Sequence, residues 1–364
     1  MYVVILTTLF ALTFSYLASK NRVKYGLDIA FLAVTFIQAI HYKYGNDYLG
    51  YYDDYRMITS NTFNWDDLLA GNFWKEPGWA LINFFFARYG GFYMMVAVLS
   101  VVYNFIYYKL IRTFLPRNLW LFGVFVYLFS CYDLYLINMS MMRQGLSIAL
   151  FAYSFQFIIR KDIIRSAILV FIAYSIHSSA VILIPFVFIG FLNVERGKLI
   201  VFTFLALFFI FFISTQVMSS LMDQLRVIAL FETYSHDYIE TGDTDSFGFG
   251  FMLRLIPFFV YMYVLAYKNK KLENYQKYAI ILAASNFLVE PFASLGVMVV
   301  RMGYYFNAIS IIAIPVAFSV LDKKFKIILL QLYMVLMIYM YYSFFDSSAY
   351  AKYYRDFHSI FEII

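Results

Sequence analysis

The chain has 364 residues, 63% of them hydrophobic and 14% charged, with a formal net charge of +6. A soluble domain carries roughly 25% charged residues, so the composition excludes an ordinary soluble protein and indicates an integral membrane protein, with no nucleic-acid partner. A single cysteine, Cys131, excludes a disulfide framework and a cysteine-built metal site.

A helix needs about 20 apolar residues to cross the hydrocarbon. In chain order the apolar runs predict spans near 2–19, 26–42, 92–111, 118–136, 143–159, 164–176, 179–192, 198–214, 249–267, 276–290, 301–320 and 326–344. The first run has no basic region before it and no small-residue cleavage site after it, so it reads as a span rather than a cleaved signal. The segments 164–176 and 179–192 are short, and read as one broken helix or as a pair that does not fully cross. The fold class is therefore all-α and polytopic, a single transmembrane domain over 1–364 with about twelve segments. Outward regions are expected at 43–91 and 215–248. No internal repeat stands out.

Lys and Arg orient the chain. Eighteen of the 28 fall in alternate gaps, from Lys20, Arg22 and Lys24 through to Lys323, Lys324 and Lys326. The positive-inside rule makes that side cytoplasmic and turns both termini outward. Residue choice differs between the sides. Twelve of the eighteen inward cations are Lys, whereas seven of the ten outward ones are Arg: Arg56, Arg88, Arg143, Arg226, Arg254, Arg301 and Arg355. Arg is preferred where phosphate or carboxylate is held in a planar, two-point grip. Better snorkelling by Arg is the plainer alternative. About seventeen of the 22 acids also lie outward.

Three of these arginines stand near the outer ends of spans. Arg143 opens the run MRQGLSIAL, with Gln144 beside it and Ser147 on its face one turn later. It serves either as an interfacial anchor or as an anion ligand aided by the free N–H groups of a helix start. Arg301, in VVRMGYYFN, lies inside an apolar run with Tyr304 and Tyr305 one turn on. A charge there faces a wet cavity or a partner. Arg254 is placed similarly, and Glu290 is the candidate partner if these charges are structural. Three arginines at one depth suggest a polyanion site.

His177 sits in IHSSAVILIP between the two short segments, where Ser178 and Ser179 suit a helix cap. It is either a buried, hydrogen-bonded residue or a general base. The first outward region carries Asp47, Asp53, Asp54, Asp66, Asp67 and Glu76 among many Tyr and Trp. Carboxylates and amphipathic rings suit a sugar; an interfacial loop has the same composition. A Ca²⁺ site would lack EF-hand spacing. P-loop, GxSxG, HExxH and Rossmann motifs are absent from the sequence.

The series GND before a Tyr-rich stretch (45–52), EPGW (76–79), MRQGLSIA (142–149), IHSSAVILIP (176–185) and RMGYYF (301–306) resembles the EpsG family. These are polytopic, Wzy-like polymerases of O-antigen and exopolysaccharide repeat units. Asn46 stands where Thr is more usual in the family pattern, and Ser178 follows the histidine where other residues are common. The resemblance implies a GT-C-like fold with an outward, loop-covered cavity in a bacterial inner or plasma membrane. It implies a glycosyltransferase without cofactor or metal, using undecaprenyl-diphosphate-linked oligosaccharides as donor and acceptor, and a chain-length regulator as partner. Residue by residue it carries over to Asp47, Glu76, Arg143, Gln144, His177 and Arg301. The expected roles are these: Arg143, Arg254 and Arg301 clamp the diphosphate. His177 acts as base, with Asp47 or Glu76 as rivals. Gln144, Tyr304, Tyr305 and Asp53 bind substrate. An O-antigen ligase with the same donor, and a flippase or other transporter of lipid-linked oligosaccharides, are the alternatives; a membrane acyltransferase lacks an inward motif for its cytosolic donor.

Overall fold

In a computed structural model of the chain, the described residues are 1–60, 62–70, 76–130, 134–225, 255–289, 297–346 and 351–362. They are helical almost throughout. The described strands are the two-residue pair His41–Tyr42 (β1) and His358–Ser359 (β2). Among the described residues, four helices are long and apolar enough to cross a membrane: Tyr2–Ser19, Gly91–Phe114, Gly197–Ser214 and Lys323–Asp346. A bent pair, Arg301–Asn307 with Ser310–Ser319, makes a fifth if it is one span. The protein is therefore an all-α, multi-pass membrane protein. Each of the twelve predicted segments contains a helix, though several are shorter than a membrane crossing requires.

The chain divides into two compact units, Met1–Gly190 with Met334–Ile364, and Phe191–Tyr333. In the first, α1 (Tyr2–Ser19) and α2 (Gly26–Ile40) form a hairpin. Three helices follow in the first outward region: α3 (Tyr48–Thr59), α4 (Trp65–Leu69) and α5 (Pro77–Tyr89). Then come α6 (Gly91–Phe114), α7 (Trp120–Phe129), α8 (Met142–Ile158) and α9 (Ile163–Ile176). Helix α6 packs against α2 and α8, and α9 packs along α8.

The predicted span 118–136 is not a continuous helix. Helix α7 stops at Phe129, Ser130 leaves helical geometry at φ −76°, ψ 71°, and Ile137–Met139 form only a 3₁₀ turn. This irregular segment is buried at Leu134, Tyr135, Leu136, Asn138, Met139 and Ser140. Irregular backbone away from water must find partners within the protein, and buried polar side chains supply them. Gln38 Nε2 donates to the Tyr135 carbonyl (3.3 Å), His41 Nε2 meets the Met139 carbonyl (2.9 Å), and the Tyr103 hydroxyl donates to the Met142 carbonyl (2.6 Å). Gln38 is held in turn by Ser100 and Asn104 of α6, and Tyr127 donates to Asn104 (2.8 Å). This polar network inside an apolar bundle fixes the loop that leads into Arg143.

The short segment after His177 is also not an α-helix. Ser178–Phe191 winds as a 3₁₀ helix of 14 residues with Pro185 inside it. At a rise of about 2.0 Å per residue it extends ~28 Å, whereas an α-helix of that length reaches ~21 Å. The missing Pro185 N–H would break an α-helical ladder in any case.

The second unit holds α10 (Gly197–Leu225), α11 (Ile256–Tyr267), α12 (Asn274–Val289), α13 (Val297–Asn307), α14 (Ser310–Ser319) and the start of α15 (Lys323–Asp346). Helix α10 continues well past the predicted boundary at 214. The basic end of this unit is tied by ion pairs: Lys277 to Glu195 (2.7 Å) and Lys268 to Asp322 (2.9 Å). Lys277 is buried; its pairing explains a lysine in that place. Helices α13 and α14 meet at a 52° bend.

Candidate functional site

Three residues read separately from the sequence converge in the first unit. Glu76 precedes α5, where Pro77 at the first helical position starts the helix from an extended residue. Arg143 lies in the first turn of α8. His177 is the extended residue (φ −149°, ψ 115°) between α9 and the 3₁₀ helix. The Glu76 carboxylate joins them. Its Oε2 takes a hydrogen-bonded ion pair from Arg143 Nη1 at 2.6 Å. Its Oε1 accepts from the Ser178 N–H (2.8 Å) and the Ser178 hydroxyl (3.0 Å), and meets His177 Nδ1 at 3.1 Å.

The packing that enforces this is local. One turn into α8, the Ser147 hydroxyl donates to the Ala173 carbonyl of α9 (2.9 Å), so Arg143 and His177 sit level on adjoining helices. The first turn of α5 lies against the last turn of α9 so closely that a Cβ on Gly78 would come within 2.4 Å of the Ser175 hydroxyl and 2.9 Å of its backbone. Glycine in EPGW is thus a requirement of close approach. Glu76 and His177 are each 6% exposed, and the Arg143 side chain 21%.

The electrostatics follow from these contacts. Burial alone raises the carboxyl's affinity for a proton. The His177 hydrogen bond, the Arg143 guanidinium and the Ser178 N–H outweigh it and bring Glu76 down to about 2. Glu76 is therefore an anion that holds its neighbours. An anionic partner at Nδ1 selects the tautomer with the proton on Nδ1 and the lone pair on Nε2.

Asp47 lies in a polar clasp beside this centre. Its N–H donates to Ser140 Oγ (3.0 Å), the Ser140 hydroxyl donates to Asn46 Oδ1 (2.9 Å), and Asn46 Nδ2 donates to Asp47 Oδ1 (2.7 Å). It anchors the GND turn to the segment that precedes Arg143. Gln144 is buried beside Arg143. Asp53 is exposed on α3 and lines an open depression.

Arg301, Tyr304 and Tyr305 belong to the second unit, on α13, with Tyr305 fully buried and the other two half-buried. Arg254 and Glu290 lie outside the described residues. Sequence reading missed the role of Ser178, whose two donors go to Glu76 rather than to a helix cap. It also passed over Asp54, whose carboxyl feels the Arg143 charge. The order of acids in the loop gave no sign of either.

A multi-pass helical fold with a carboxylate-braced arginine and histidine at the ends of its helices defines a membrane protein with a buried polar centre. The EpsG family matches residues 24–356, and the chain belongs to that family, and with it to the membrane apparatus of polysaccharide biosynthesis. No curated protein and no solved structure matches it.

Proposed function

We propose that the protein is a polysaccharide polymerase that transfers a growing glycan from undecaprenyl diphosphate to a lipid-linked repeat unit at the outer face of the cell membrane. The observation that carries the reading is the Glu76 carboxylate held between Arg143 and His177. In the transfer, the acceptor oxygen bonds to the anomeric carbon, the bond from that carbon to the diphosphate breaks, and the acceptor proton moves to His177 Nε2. Glu76 orients the ring and offsets the charge the imidazolium gains. The leaving diphosphate needs its growing charge matched. Arg143 supplies a guanidinium at a helix start whose dipole favours anions. Arg254 and Arg301 complete the clamp in this proposal, with Gln144, Tyr304 and Tyr305 contributing to substrate binding.

Depth supports an outer-face site. From the basic turn at Arg160 and Lys161, α8 rises roughly 25 Å to Arg143. That leaves the centre a few ångströms inside the far surface of a ~30 Å hydrocarbon slab, where a lipid diphosphate lies. A GT-C-like fold of about twelve membrane segments, some of them short, is part of this proposal. A chain-length regulator is the expected partner.

The test uses cells lacking the gene, complemented with wild type or with Arg143→Ala, and sizes their lipid-linked glycans on a gel. A null with single repeat units, a ladder restored by wild type, and a present but inactive Arg143→Ala protein support the reading. Long chains that persist without attachment to their final acceptor would replace it with a ligase; lipid-linked units confined to the cytoplasmic side would replace it with a flippase.

A further inference from the structure

Helix α3 presents two unlike faces. Tyr51 and Ile58 are buried, while Asp53, Arg56 and Met57 are exposed. Asp54 stands three residues after Tyr51 and four before Ile58, so it shares their inward face. That face meets α5: the Tyr51 and Trp79 rings pack at 5.5 Å, and the buried Trp79 follows Glu76 by one turn. The helix thus turns Asp54, and not its neighbour Asp53, toward the Glu76–Arg143 pair. The charges agree. Burial raises the Asp54 carboxyl above the usual carboxylate range, Arg143 acts in the opposite sense, and Asp53 adds to the rise.

Arg143 is paired with one carboxylate, Glu76, and acts on a second, Asp54, that is in a different state. Glu76 is fully engaged, whereas Asp54 is half-buried and open to solvent. A carboxylate repels a diphosphate. What it accepts is a neutral donor, and a sugar hydroxyl is such a group. On the outer side of the same helix, Asp53, Arg56, Met57, Thr59 and Ser60 line a shallow, open depression. Carboxylate, guanidinium and hydroxyl groups in one row along a helix suit an oligosaccharide rather than a lipid tail.

We infer that α3 is the platform for the neutral acceptor glycan, with Asp54 holding hydroxyls of its terminal sugar beside Arg143 and the Asp53–Ser60 depression holding the sugars behind it. The inference rests on the polymerase reading for the identity of the glycan. Its test does not depend on turnover. The probe is the delipidated, dephosphorylated repeat-unit oligosaccharide of the producing cells, titrated against full-length protein in nanodiscs. Wild type should bind it. Asp54→Asn should weaken binding at least tenfold, and Thr59→Ala two- to fivefold, while neither change weakens binding of the diphosphate lipid. Equal binding by wild type and both variants, or no binding by wild type, overturns the platform. Loss of the glycan ladder in cells is a separate readout that bears on the polymerase reading alone.

Discussion

Arg143 and Arg301 occupy matching local settings in the two units, yet their surroundings differ. Each lies near the start of a helix and is followed two residues later by a glycine seated on an asparagine. A Cβ on Gly145 would meet Asn138 Oδ1 at 2.5 Å, and one on Gly303 would meet Asn286 Oδ1 at 2.2 Å. Gly145 lies against the 3₁₀ turn that leads into α8, and Gly303 against α12, each in the space a side chain would fill. Beyond that they diverge. Helix α8 continues unbroken for 17 residues, and Arg143 is held by the Glu76 carboxylate. Helix α13 ends after 11 residues and turns by 52° into α14. A braced arginine suits a fixed centre that also orients a histidine. Arg301 instead stands less than two turns before its helix ends.

The largest effect should come from removing the brace. Glu76→Gln leaves Arg143 and His177 without their anion, and breaking a buried pair from one side costs about 3–5 kcal/mol. Thermal unfolding in detergent should show it as a lower Tm, together with loss of the glycan ladder. Arg301→Lys should lose the two-point grip on phosphate; polymer synthesis should fall at least tenfold. Full polymerisation by Arg301→Lys would remove that arginine from the clamp.

The brace also predicts a response to acid. Glu76 titrates near 2 in the folded protein against an ordinary value near 4.5. A lowered carboxyl stabilises the fold above its unfolded value, and the gain fades as the pH falls through the folded one. Wild-type Tm should therefore decline between pH 4.5 and 2 by more than that of Glu76→Gln, in parallel melts across that range. Equal declines would mean that Glu76 is not the group that senses acid.

Smaller effects should come from the glycines. Gly78→Ala meets Ser175 backbone as well as its hydroxyl, so α5 must move away from α9, at a cost of about 1–3 kcal/mol. Gly303→Ala meets only the end of an asparagine side chain that can turn aside, and should cost less than about 1 kcal/mol. Tm values for the two variants, measured side by side, check the order.

How much of this was legible in the sequence depends on range. Runs such as 92–111 and 164–176 announce their helices because length and hydropathy are local properties. Arg143, Glu76 and His177 stood out singly, as charges next to apolar runs. Their union did not, because His177 lies 101 residues beyond Glu76 and no local pattern encodes which of many acids meets which base. The end of α7 at Phe129 was hidden for a similar reason. The segment after it is as apolar as a helix, and its irregular backbone is made tolerable by Gln38, His41 and Tyr103 from other helices. Asp53 and Asp54 look equivalent in a string; only the burial of Tyr51 and Ile58 separates their faces.

The most direct test of the central claim is a double-mutant cycle on turnover. Wild type, Glu76→Gln, His177→Gln and the double variant would be reconstituted with a lipid-diphosphate-linked repeat unit, and polymer formation followed over time. If Glu76 acts through the histidine, each single change should slow transfer by 10²–10⁴-fold, and the double variant should be little slower than the worse single one. Losses that multiply, or a Glu76→Gln protein as active as wild type, would contradict a centre built on this carboxylate.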